Sequence, residues 1–208
     1  MEQYYAITIG RQLGSGGKFI GEQLSQRLNI PCYDKELIQL ASQESGLEKT
    51  IFERVDEKDS YSFMGKYFGF RSGFMGYSES NYLCNETLFQ IQSDVIRKIA
   101  ERESAIFVGR CADYILREHP RCLKVFILSD PEERIARIMS DMKLSHADAA
   151  TFISRIDKKR ASYYNYYSQK VWGMATSYDF CFNASKAGFD SIVAMIEGYV
   201  RAKYMSAD

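Results

Sequence analysis

Residues 7–19 read ITIGRQLGSGGKF, and this stretch decides the fold. Ile7, Thr8 and Ile9 continue an apolar, β-rich run that starts at Tyr4, which predicts a buried strand. The run breaks at Gly10. From Ile20 the apolar residues recur at helical spacing, through Leu24 and Leu28, and the helix ends before Asn29, Ile30 and Pro31. A strand, a glycine-rich turn and a helix in that order are the setting of a phosphate-binding loop. Glycines at 14, 16 and 17 let backbone N–H groups turn inward around anionic oxygens, and the helix N-terminus adds partial positive charge. The pattern GxxxxGK[ST] is met in part. Gln12 stands where it asks for its first glycine and Phe19 where it asks for Ser or Thr. If the loop keeps its usual length from Ile9, Gly17 falls where the lysine belongs and Lys18 comes one residue late. Ser15 is then the hydroxyl left to stand in as a magnesium ligand. The same residues also suit an ordinary strand-to-helix turn.

Working outward, Pro31–Tyr33 predicts a short second strand ending at Asp34. Leu37, Leu40 and Ala41, then Leu47, Ile51 and Val55, continue as helices. From Ser60 to Tyr82 aromatic residues alternate with Gly and Ser without a period; residues 60–85 are expected as an insertion, a packed aromatic loop or an oligomer contact. Helical spacing returns from Glu86 to Arg102. Ala105–Val108 and Leu123–Leu128 are apolar strands, and Tyr178–Phe182 is the fifth. Asp130 and Ser145 each read as the N-cap of a helix. Ile192, Val193, Ile196 and Val200 mark a closing amphipathic helix. Strands alternating with helices predict a parallel sheet covered on both faces, with ligands outside the carboxyl ends of the strands. Gly10–Lys18, Asp34, Gly109-Arg110, Asp130 and Asn183 all fall at those ends.

Composition narrows the function. The chain has 208 residues, and its 27 basic and 27 acidic side chains cancel, which disfavours a globally cationic nucleic-acid binder. No apolar run approaches the roughly 18 residues of a membrane span, and the N-terminus runs into a strand-like segment instead of a signal peptide. Five scattered cysteines without a CxxC pair predict reduced thiols in a cytoplasmic protein.

The longer segments carry a resemblance. ITIGRQLGSGGKFIGEQLSQRLNIPCYDKELI, IFVGRCADYIL, KVFILSDPEERIARI, RIDKKRASYYNYYSQKVWG and YDFCFNASKAGFD resemble blocks of the cytidylate kinase-like family, over nearly the whole chain apart from the insertion. The resemblance implies an α/β, P-loop NTPase-type three-layer fold with a five-stranded parallel sheet, plus lid and acceptor-binding insertions. It implies one domain over 1–208, with a lid-like helical region at 145–173. The implied activity is phosphoryl transfer from ATP, with Mg2+, to CMP or dCMP. Gly14, Ser15, Gly16, Gly17 and Lys18 match the donor-phosphate loop, with Phe19 next to it, and Asn183 is placed near the donor base. Arg110 matches an arginine that grips the acceptor, with Asp34 and Asp113 nearby. Arg155 and Arg160 match lid arginines. Cytidylate kinases carry a denser arginine set there, where this chain has Lys158, Lys159 and four tyrosines. A charge run on a helix also suits a solvated face, with Asp157 pairing Arg160. Two alternatives stay open: a nucleotide-binding regulatory protein without transfer, and a kinase of another small acceptor. The expected partners are small-molecule nucleotides, with no nucleic acid and no membrane, and a homo-oligomer is open.

Overall fold

The computed structural model describes residues 4–34 and 79–205. The expected helices around Leu37 and Leu47, and residues 60–78 of the expected insertion, lie outside them. The chain divides into two compact units, 1–34 with 99–208, and 35–98. In the second unit the described part is most of a helix, α2 (Glu79–Arg102), whose last residues belong to the first unit. It begins seven residues before the apolar spacing that announces it.

The first unit is built on five strands, β1 (Ala6–Arg11), β2 (Cys32–Tyr33), β3 (Ala105–Val108), β4 (Cys122–Leu128) and β5 (Phe180–Asn183). Their order is β2-β3-β1-β4-β5, and every pairing is parallel, which fits the predicted architecture. The last strand starts two residues later than its pattern, because Tyr178 turns against Phe126 with ring centroids 5.0 Å apart. Alternation sorts the faces. Tyr5, Ile7, Ile9, Ile106, Val108, Leu123, Val125 and Ile127 form one core with Ile20, Leu24 and Leu28 of α1 (Gly17–Leu28) and with Ile192, Val193, Ile196 and Val200 of α7 (Phe189–Val200). Most of these side chains are fully buried. Each contributes roughly 1.5–3 kcal/mol by leaving water.

Four further α-helices belong to the unit, α3 (Ala112–Ile115), α4 (Pro131–Met142), α5 (His146–Ser168) and α6 (Ala184–Ala187), with a 3-10 turn at Ala175–Ser177 and a π-helical turn at Arg201–Met205. Ser145 caps α5, as expected: its Oγ accepts the N–H of Asp148 at 3.2 Å and donates to the Asp148 carboxylate at 2.6 Å. Asp130 precedes α4 without capping it through its side chain. That carboxylate instead accepts from Asn183 Nδ2 at 2.9 Å and pairs with Lys186 at 2.9 Å, tying the ends of β4 and β5 together.

The order β2-β3-β1-β4 makes β1 the strand at which the chain reverses its direction of travel across the sheet. Its carboxyl end is therefore the crevice where ligands of open parallel sheets bind. The glycine-rich loop sits at that point.

Candidate functional site

The loop from Gln12 to Gly16 links β1 to α1. Gly14 and Gly16 hold φ of 74° and 82°, the left-handed region where a side chain costs about 1 kcal/mol. The helical ladder starts with Ile20 N–H on Gly16 O at 3.0 Å. The N–H groups of Gly17, Lys18 and Phe19 thus belong to the helix's open first turn and point out of its N-terminus. The loop carbonyls are turned away and engaged. Arg134 Nε of α4 donates to Leu13 O at 2.7 Å, Arg137 Nη1 to Gly14 O at 2.7 Å, and Ser15 Oγ to Gln12 O at 2.8 Å. Leu13 N–H donates to the Asp157 carboxylate of α5 at 2.9 Å. Gln12 Oε1 accepts Ser129 N–H at 3.2 Å. With its acceptors occupied, the loop offers donors to the crevice, which is the chemistry of an anion nest.

The side chains of three residues expected in this loop are placed as follows. Ser15 is fully buried with its hydroxyl committed inside the loop, so it is placed to brace the turn and not to meet a cation. Lys18 is half exposed, its Nζ lying 3.5 Å from Asp34 and 3.8 Å from Glu22, so its side chain is engaged by carboxylates at the start of α1. Phe19 packs its ring 5.4 Å from that of Phe189, against the outer side of the loop. Among the described residues no group of three or more His, Cys, Asp or Glu side chains could hold a metal ion. With Gly17 in the lysine position, Lys18 stands where the hydroxyl residue belongs, and with Ser15 buried these residues do not fit a protein-held magnesium.

Arg11, the last residue of β1, brings a guanidinium to the sheet edge. Its Nη2 lies 3.4 Å from Asp34, which thus faces both Arg11 and Lys18. Arg160 Nη1 of α5 donates to the Arg11 carbonyl at 3.0 Å. Burial, then the nearby positive charges of Arg160 and Arg110, push the Arg11 pKa down to about 10, against the pull of Asp34. It stays a cation at neutral pH. Burial likewise lowers Arg160, against the pull of Asp157 and Asp34.

Arg110 follows β3 in an unusual turn. Gly109, Arg110 and Cys111 take φ of 81°, 57° and 55°, three left-handed residues in succession. Two of them carry side chains, so the turn stores about 1 kcal/mol or more at each. It is closed by Gly109 N–H on Ile9 O at 3.0 Å and Ala112 N–H on Gly109 O at 3.1 Å. Such strain persists where the surrounding structure demands it, and here it sets Arg110 on the same edge as Arg11. Asp113 is elsewhere. It is buried on α3 and accepts the Tyr164 hydroxyl of α5 at 2.7 Å. Burial raises its pKa, with the Tyr164 hydrogen bond opposing. It pins two helices together and does not face the crevice as an acceptor ligand.

On α5 the charge run separates. Lys158 and Lys159 are exposed. Arg155 lies over the Phe152 ring, 5.9 Å from its centroid. Arg160 reaches the loop. Asp157 does not hydrogen-bond Arg160 as its spacing suggests; it binds Leu13 N–H and pairs with the largely buried Arg134. Asn183 has both ends of its amide engaged, by Asp130 and by Ser185 N–H at 3.0 Å. Arg11, Arg134, Arg137, Asp157 and Phe189 are the site residues that motif reading passes over. Their one signal is position, at the end of β1, on the helix after β4, within α5 and at the start of α7.

The fold and this edge define the class: an α/β protein of P-loop kinase type. A profile of the cytidylate kinase-like family matches residues 6–186, and the chain belongs to that family. Family and fold together place it among the kinase-type phosphotransferases. The structure is similar to that of an uncharacterised protein from Eubacterium ventriosum, with TM-score 0.71 and 27% identity over 96% of this chain and 100% of that one. It is similar in fold to shikimate kinase from Bacteroides thetaiotaomicron, with TM-score 0.54 and 15% identity over 95% and 98%. A shikimate kinase from Acinetobacter baumannii, in complex with shikimate, matches at TM-score 0.53 and 11% identity over 99% and 97%. No curated protein matches the sequence. No described helix is long and apolar enough to cross a membrane.

Proposed function

We propose that the chain transfers the γ-phosphoryl group of ATP to a nucleoside monophosphate, with CMP and dCMP as the acceptors to test first. The observation that carries this reading is the donor nest of Gly14–Lys18 beside Arg11, Arg110 and Arg160 at one sheet edge. Phosphoryl transfer asks the protein for aligned phosphates and compensated charge, and little else. Arginine serves it well, because its planar fork binds phosphate through two parallel bonds. The acceptor's phosphate oxygen bonds to the γ-phosphorus while the bond to the β,γ-bridging oxygen breaks. ADP leaves with the electron pair, and a nucleoside diphosphate forms. The acceptor oxygen is already ionised, so no base is needed, and the edge accordingly carries cations and no histidine. Magnesium arriving with ATP would be held by phosphate oxygens and water and would supply further positive charge to the phosphates.

Coupled ADP-release assays across CMP, dCMP, UMP, AMP, GMP and shikimate test the reading. ADP release that depends on a nucleoside monophosphate is expected, and release with shikimate alone would move the acceptor to a hydroxyl compound. ATP binding without release to any acceptor would favour a nucleotide-binding regulator, a second reading that Gly17 in the lysine position supports.

A further inference from the structure

Gly17 is the first residue of α1 and occupies the place where a phosphate loop carries its lysine, while Lys18, one residue later, has its ammonium between Asp34 and Glu22. The cation that such a loop sends across its anion nest must then come from elsewhere, and two glycines show where. A methyl group on Gly17 would lie 2.6 Å from Arg11 Cβ and 3.1 Å from its Cγ. One on Gly109 would lie 1.7 Å from Arg11 Nη1 and 2.9 Å from Cζ. Gly17 therefore clears the path of the Arg11 stem and Gly109 clears the seat of its guanidinium. One glycine opens a helix and the other directly follows a strand 92 positions away in the sequence, yet both leave room for the same side chain. A side chain at Gly17 would press on the Arg11 stem, and one at Gly109 would displace its guanidinium from this seat.

We propose that Arg11 is a catalytic residue that contacts the transferring phosphoryl group of the donor from its seat between Asp34 and Gly109 at the end of β1, in place of the lysine that Gly17 lacks. This rests on the phosphotransferase reading above. The guanidinium is held by Asp34 at 3.4 Å, a long contact that a phosphate with two acceptor oxygens outcompetes. Arg160 fixes the backbone beneath it through the Arg11 carbonyl. Arg160 and Arg110 crowd it with like charge, which an arriving phosphoryl group relieves. As the bond from the γ-phosphorus to the bridging oxygen breaks, negative charge grows on the departing ADP. Arg11 stabilises that charge and keeps its proton throughout.

The test uses the full chain with four variants: Arg11→Met, which keeps a stem and removes the charge, Arg11→Lys, Lys18→Ala, and the double variant Arg11→Gly/Gly17→Lys, which returns a lysine to the helix start. Melting temperature, kcat for ADP release, and ATP and ADP affinities by displacement of a fluorescent nucleotide are read for each. Arg11→Met is expected to melt near wild type and to lose on the order of a hundredfold or more in kcat. Arg11→Lys should recover part of this, Lys18→Ala should lose about tenfold or less, and the double variant should exceed Arg11→Met by at least about tenfold. Arg11→Met within threefold of wild type, or a double variant no better than Arg11→Met although folded, overturns the proposal. Should the wild type bind ATP and release ADP to no acceptor, the kinase reading fails on its own. The Arg11 contact is then still read, because Arg11→Met must reduce ATP affinity more than ADP affinity, and an equal effect on both overturns it. A wild type that binds no nucleotide overturns both.

Discussion

Gly16 shows at the scale of one residue how the loop combines two demands. Its φ of 82° disfavours any side chain, and a methyl there would lie 2.3 Å from Phe189 Cε1. The Phe189 ring is itself wedged between the loop and the Arg137 guanidinium, 5.0 Å from its centroid. Gly16→Ala should therefore destabilise the fold by about 2–4 kcal/mol, summing left-handed strain and overpacking. In a Phe189→Leu background the same substitution should cost only the backbone share, about 1–2 kcal/mol. Urea melts of the four proteins check this, and an undiminished cost in the Leu background would show that Phe189 is not what excludes a side chain. The sequence made Gly14, Gly16 and Gly17 visible as a set, because strand, glycines and helix follow one another. It could not distinguish their roles. One meets Arg134 backbone, one meets Phe189 and one meets Arg11, and only the folded chain brings those partners together.

Among elements, the contact between α3 and α5 carries the clearest consequence. Asp113 is buried with the Tyr164 hydroxyl as its donor, and burial raises its pKa above the ordinary carboxylate value. The folded chain thus holds this proton more tightly than the unfolded chain does. Its contribution to stability is fully present below the ordinary value and is lost as pH rises through the raised one. Asp113→Asn should flatten the wild-type decline across that window, as read by urea melts at a series of pH values. Tyr164→Phe removes the hydrogen bond that opposes the shift. It should cost about 1–3 kcal/mol and carry the decline to higher pH. Parallel wild-type and Asp113→Asn curves would assign the pH dependence to other groups. The family resemblance placed Asp113 near the acceptor as a displaced match to an aspartate that follows the Gly-Arg pair directly, with Cys111 and Ala112 intervening here. The left-handed turn at 109–111 reverses that inference, since it sends Arg110 to the edge and Asp113 inward. The main strands and helices were legible because their apolar periods are clean. The start of α2 was not, because residues 79–85 carry no such period, and neither was α3, which is too short for one.

Across the first unit as a whole, three layers converge on residues 11–16, and Asp157 is where they meet. Its carboxylate takes the Leu13 N–H and pairs with Arg134, whose Nε holds Leu13 O, so one ion pair clamps both polar groups of a loop residue between α4 and α5. Three residues on, Arg160 adds its bond to the Arg11 carbonyl, and farther along Tyr164 binds Asp113. Beyond the helix Trp172 sets its ring edge-on against Phe126, 5.4 Å between centroids. In this conformation the helix expected as a mobile lid is tied to the phosphate loop by Asp157 and Arg160 and to α3 by Tyr164. Removing one partner of a buried pair leaves an uncompensated charge and typically costs 3–5 kcal/mol, whereas replacing both by apolar groups of similar volume is often neutral. Asp157→Leu should therefore unfold at markedly lower denaturant and speed amide exchange over 146–168. Asp157→Leu with Arg134→Met should regain most of that stability. The double variant still lacks both ties to Leu13, so its ATP affinity should remain below wild type by about tenfold or more, the equivalent of one or two lost hydrogen bonds to the loop. Exchange and affinity then separate two roles of one carboxylate. Recovery of both in the double variant would mean that the loop holds its shape without α5, and the clamp would be a matter of stability alone.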